Sequence, residues 1–199
     1  MSMNREILFG LLAAAINIAG FVPYMLDILR GKTKPERAMW WIYSVLFIVL
    51  LMAQNGANAG WLLLATGSYI FSSVLIALLS IKYGYGKFHK RHFISASIAI
   101  AGLILWRITD QPLIAILLVI LIDSSGFWLT LIKTWHAPHS ETLLAWQMAL
   151  LSYFVSMLSI RNWTFDVVIY PLYAIAGGST IVWIITHRRK IISADPDDF

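Results

Sequence analysis

The sequence predicts an all-α membrane protein of seven transmembrane helices, arranged as two parallel three-helix bundles joined by a linker helix, with the N-terminus outside and the C-terminus inside. Three observations predict it. Hydrophobic residues make up 59% of the 199 and charged residues only 13%, a balance outside that of soluble domains. The apolar residues fall into seven runs near the roughly 20 residues that cross a bilayer as helix. Finally, the two ends of the chain share a residue pattern that divides the runs as three, one and three.

The first run, residues 7–29, is too long for a signal-peptide core and carries Asn17 and Asp27 before any cleavage site, so it reads as a retained helix. The second, 38–52, follows a basic loop, and the third, 61–81, follows a short outer loop. The fourth covers 93–106, and the last three cover 113–132, 142–160 and 167–186. Helix follows because a spanning segment must satisfy its backbone within itself, and these runs lack the alternation of a membrane barrel. The divisions are a first repeat over 1–84, a basic loop and linker helix over 85–111, a second repeat over 112–190 and an acidic tail over 191–199.

Orientation follows from Lys and Arg in the short loops. Twelve fall in the segments assigned inside: Arg30, Lys32, Lys34 and Arg37; Lys82, Lys87, Lys90 and Arg91; Lys133; Arg188, Arg189 and Lys190. Only Arg5, Arg107 and Arg161 fall outside. The net charge of +5 therefore sits in loops rather than on one continuous face, which argues against nucleic acid as a partner. The absence of Cys excludes a disulfide framework and a thiolate metal site. The expected setting is a lipid bilayer, a prokaryotic cytoplasmic membrane, and association into a homo-oligomer is left open.

The repeat is visible in particular residues. Asn17-Ile-Ala-Gly20-Phe21 matches Asp123-Ser-Ser-Gly126-Phe127, and after a one-residue gap Glu36 and Trp41 align with Glu141 and Trp146. A second three-helix unit following directly on the first would enter the membrane upside down. One extra crossing, the fourth run, restores its orientation and gives a pseudo-twofold axis along the membrane normal.

With this pattern the chain resembles the PQ-loop and SWEET transporter superfamily, whose members are built as three helices, a linker helix and three helices. The stretch Gly20-Phe-Val-Pro23-Tyr-Met-Leu-Asp-Ile-Leu-Arg-Gly-Lys32, followed by Glu36 and the Trp40-Trp41 pair, carries the resemblance. The family's Pro-Gln pair is not intact: Pro23-Tyr24 stands in the first repeat and Leu129-Thr130 in the second. The resemblance implies transport by alternating access. Pro23 and Pro171, the prolines well inside spans, are candidate hinges, because a proline frees a helical carbonyl and permits bending.

Candidate chemistry gathers at mid-membrane. Asn17 and Asp123 each lie about ten residues into their runs, near the centre of a ~30 Å core, at equivalent repeat positions. Asp123 is the ionisable side chain placed deepest, and its charge there requires a close partner or a bound proton. Two readings follow: Asp123 couples proton movement to solute, or it is glue that fixes helix packing. The segment Asp123-Ser124-Ser125-Gly126 resembles the Asp-x-x-Gly stretch of cystinosin-type PQ-loop carriers, which implies the former. Tyr69, Ser72 and Tyr173 supply hydroxyls and aromatic faces for a polar solute, with helix packing as the alternative. Trp128 and Trp146 are expected to line an inner vestibule, whereas Trp40, Trp41, Trp61, Trp106, Trp135 and Trp163 belong to interfacial belts.

No cofactor or metal is implied. His136, His139 and Glu141 share a loop but lack the second half of a metal motif. Phosphate loops, His-Glu-x-x-His and Gly-x-Ser-x-Gly are absent, so the chain is not expected to be an enzyme. The last run carries no lysine for a retinal. Without a midplane Lys or Arg, the cavity suits a neutral or cationic small-molecule solute of the sugar, nucleoside or amino-acid class. The expected function is its transport, with protons as a coupled partner. The alternative is a membrane ligand or cargo receptor that uses the same cavity.

Overall fold

The computed structural model describes residues 2–31, 35, 37–84, 97, 101, 104, 107–136 and 138–194. These form helices α1 (Ser2–Leu29), α2 (Arg37–Gly56), α3 (Leu62–Tyr83) and α4 (Pro112–His136), a 3-10 turn (Pro138–Ser140), and helices α5 (Leu143–Met157) and α6 (Phe165–Ala194). No strand occurs among the described residues. By length and composition, α1, α2, α3, α4 and α6 are each able to cross a membrane, and the chain is an all-α integral membrane protein.

Helix α5 is apolar but only 15 residues long, about 22 Å at 1.5 Å per residue, and so shorter than the ~30 Å hydrocarbon core. Leu158, Ser159 and Ile160 extend it by bonding three residues back, toward the run's expected end. Helix α6 continues well beyond the apolar run that ends at residue 186. Its last two turns carry Arg188, Arg189 and Lys190. The expected linker helix over 93–106 lies outside the described residues except for Ser97, Ala101 and Ile104, which are helical.

The six helices close into a ring. α1 packs on α3, α3 on α2, α2 on α4, α4 on α6, α6 on α5 and α5 back on α1, while α3 and α5 also meet across the ring. Within each half the spatial order is first, third, second. Between halves, the first helix of each meets the second helix of the other.

Side-chain neighbours fix the helix directions. Gly10 lies beside Trp61 and Asn17 beside Ser68, so α1 and α3 run parallel. Ser124 with Tyr173, and Phe127 with Gly177, make α4 and α6 parallel too. Ala13 meets Ser152 and Gly20 meets Met148, which sets α5 antiparallel to α1. Gln54 bonds Thr66 near one end of α2 and Arg37 reaches Ser80 near the other, which sets α2 antiparallel to α3. Leu29, Arg37, Tyr83, His136 and Leu143 therefore share one end of the ring. Tyr83 and Pro112 lie at opposite ends.

Arginines tie that shared, basic end together. Helix ends leave carbonyls without partners, and Arg37 donates to those of Ser80 at 3.1 Å and of Ile81 and Gly84 at 3.3 Å. In the other half, Arg188 donates to the Trp135 carbonyl at 3.0 Å, and Arg189 to those of Pro138 and Glu141. Three of the residues assigned to topology thus also cap helix ends.

The apolar core lies between the halves, where Leu46, Val49, Leu50 and Ala53 of α2 pack on Ala115, Ile116, Val119 and Ile122 of α4. Outward faces are equally apolar: Leu8, Phe71 and Leu121 are more than half exposed, as a lipid-facing surface requires. Buried hydroxyls are mostly satisfied by their own helix, as when Ser73 donates to Ile70 and Ser80 to Ala77, so they sit in an apolar interior without unmet hydrogen bonds.

Candidate solute site

Asn17 is 1% exposed on α1. Its Nδ2 donates to Ser68 Oγ at 2.9 Å, and Ser68 gives its own proton to the Ala65 carbonyl at 2.6 Å. Ser68 can therefore only accept from Asn17, which fixes the amide orientation. Asn17 Oδ1 is buried with no partner among the described residues. A buried unpaired acceptor is disfavoured by about 1–3 kcal/mol, so this oxygen is a standing acceptor for any donor that enters.

Asp123 occupies the equivalent place on α4. The Tyr173 hydroxyl lies 3.3 Å from Oγ of the adjacent Ser124 and near enough to the Asp123 carboxyl to interact with it. The repeat offset is 106 residues before the one-residue gap and 105 after it, which sets Tyr173 opposite Ser68. The Asn17–Ser68 and Asp123–Tyr173 contacts are thus the same first-to-third-helix contact in the two halves.

A continuous file of rings joins the halves. Tyr43 meets Phe47 at 6.1 Å and Phe47 meets Tyr69 at 5.4 Å. Tyr69 stacks on Tyr153 of α5 at 4.8 Å with planes 14° apart, and Tyr153 leads through Tyr170 to Tyr173. Tyr69 and Tyr173, chosen from sequence, lie on this file. Ser72 is buried on α3 one turn beyond Tyr69. Trp146 sits near the basic end, its Nε1 donating to Glu141 Oε2 at 2.9 Å and its ring edge-on to Phe127 at 6.4 Å.

Trp128 does not join them. It is 63% exposed and faces outward between α4 and α6, which corrects the expectation that it lines a vestibule. At about 100° per residue, five positions turn it roughly 140° away from Asp123. Phe127, only four positions on, keeps the inward face.

Pro23 and Pro171 lie inside unbroken helices, each leaving the carbonyl four residues earlier, at Ala19 and Val167, without its helical donor. Among the described residues no group of three or more His, Asp or Glu is placed to hold a metal. Compared with protein-family models, curated proteins and solved structures, the chain matches none.

Sequence reasoning missed Ser68, Tyr153, Tyr170 and Phe127. The repeat offset was signal enough for Ser68, the counterpart of Tyr173. Nothing in the sequence pairs Tyr69 with Tyr153, which meet only through the packing of α3 on α5.

Proposed function

We propose that the chain is a carrier of the PQ-loop and SWEET type, moving a small neutral or cationic polar solute by alternating access between two three-helix halves. The observation that carries the proposal is the pair of equivalent polar contacts, Asn17–Ser68 and Asp123–Tyr173, one in each half. In the first of them an unpaired buried acceptor, Asn17 Oδ1, offers a bond to a solute hydroxyl or ammonium.

Further support comes from the exchange of partners between the halves and from their common direction. Tyr83 and Pro112 at opposite ends are where a single linker crossing would leave them, making seven spans in all. Asp123 serves as the group that takes and releases a proton as the site faces each side. Ser72 and the rings of Tyr69 and Tyr173 complete the lining, Trp146 closes its inner end, and Pro23 and Pro171 supply flexion.

The test is uptake of a panel of sugars, nucleosides and amino acids by vesicles containing only this protein, with and without a pH gradient. Accumulation of one class supports the carrier. Thermal stabilisation by a panel member without flux would instead assign a receptor.

A further inference from the structure

A groove of about 290 Å³ runs along the outward face between α4 and α6, toward the basic end. Trp128, Leu131, Ile132 and Trp135 of α4 form one wall, with Thr180 and Ile184 of α6 opposite, and the surface they present is wholly apolar. Thr180 adds no polarity, because its hydroxyl donates to the Ala176 carbonyl of its own helix at 2.8 Å. From Trp128 to His136 the groove follows about 12 Å of helix, most of the ~15 Å depth of one hydrocarbon leaflet.

A guanidinium stands where the groove ends. Arg188 lies 5.0 Å above the Trp135 ring and donates Nε–H to the Trp135 carbonyl at 3.0 Å, so its guanidinium is held at the mouth. His136 lines the groove, and its Nδ1 lies 2.8 Å from the Ile132 carbonyl. That carbonyl can only accept, so the proton sits on Nδ1 and Nε2 remains the outer end of the ring. An apolar trough one leaflet deep that ends in fixed positive charge matches the shape and charge of an anionic lipid. A choline headgroup would bring a cation against Arg188.

We propose that this groove binds an anionic phospholipid of the leaflet at the basic end, with an acyl chain along Trp128, Ile132 and Ile184 and the phosphate at Arg188. The site is independent of the solute site, which faces the interior of the ring. The full chain, purified in detergent, is incubated with phosphatidylglycerol or phosphatidylcholine, and bound lipid is counted by native mass spectrometry. Phosphatidylglycerol is retained and phosphatidylcholine lost.

Arg188→Gln removes the headgroup charge and Thr180→Trp fills the trough while keeping that charge. Arg188→Gln lowers phosphatidylglycerol occupancy about fivefold, the effect of one cation beside an anionic surface, and Thr180→Trp lowers it by excluding the acyl chain, whereas Phe71→Trp, on the lipid face of α3, leaves it unchanged. Helical content and monodispersity of each variant separate a lost site from a lost fold. Equal retention of the two lipids, or wild-type occupancy in a folded Arg188→Gln or Thr180→Trp variant, overturns the proposal. So does efficient disulfide dimerisation of Trp128→Cys in vesicles, which would mean that a second copy covers the groove.

Discussion

Gly20 of α1 lies so close to Met148 of α5 that a Cβ on the glycine would stand 2.6 Å from the methionine Cβ. The counterpart pair by the repeat offset is Gly126 of α4 and Tyr43 of α2, where an added Cβ would meet the Tyr43 hydroxyl at 3.6 Å. A glycine on the first helix of each half thus admits the second helix of the other.

Gly20→Ala should therefore destabilise the chain by about 1–3 kcal/mol, the range for overpacking a close contact. Gly67→Ala, where an added Cβ meets nothing within 4 Å, should be neutral or mildly stabilising. Adding Met148→Gly, which removes the opposing Cβ, to Gly20→Ala should recover part of the loss. Thermal unfolding in detergent measures all three, and equal midpoints for Gly20→Ala and Gly67→Ala would remove the close contact from the description.

Asn17→Leu substitutes an apolar side chain of similar size and removes both the bond to Ser68 and the unpaired Oδ1. Interhelical hydrogen bonds in membranes average about 0.6 kcal/mol, so folding should change little. Uptake should fall by about tenfold or more, as expected when a buried bond worth over 1.4 kcal/mol to the solute is lost. A variant that unfolds as readily as it loses transport would assign Asn17 to packing alone.

Asp123→Asn retains shape and some hydrogen bonding to Tyr173 but cannot carry a proton. Uptake driven by a pH gradient should collapse, while solute exchange across vesicles without a gradient persists. Lower thermal stability with both activities falling together would instead make Asp123 a packing group. Unchanged dependence on the gradient would make the protein a facilitator.

Much of this arrangement was legible in the residues. Six of the seven apolar runs fall on the six described helices, because in lipid a long apolar run has almost no other way to satisfy its backbone. Boundaries were less legible: the α6 extension carries Arg188, Arg189 and Lys190, so hydropathy ends the helix before its hydrogen bonds do. The equivalence of Asn17 and Asp123 could be read from the repeat, whereas the Tyr69–Tyr153 stack depends on how α3 meets α5. The outward position of Trp128 follows from its rotation about α4 relative to Asp123, which nearness along the chain does not reveal.

Membrane orientation rests on the bias of Lys and Arg and is open to direct labelling. The chain has no Cys, so each single-cysteine variant reports one position. Asn58→Cys should react with an impermeant reagent from outside, and Lys87→Cys and Lys190→Cys only from inside. Lys87 and Lys190 on opposite faces would exclude the seven-span arrangement.

Alternating access is tested most directly at Ser68, which is 6% exposed and accepts the Asn17 bond. Ser68→Cys is nearly isosteric, and in the cysteine-free chain it gives one reactive thiol beside the solute site. An impermeant thiol reagent is added to one face of sealed vesicles of known orientation, and then, in a separate sample, to the other. A carrier whose halves rock about this site exposes the thiol to each side in turn, so labelling should proceed from either face alone, and a transported solute should slow both reactions. Labelling from neither face, or from one face only, would contradict alternating access.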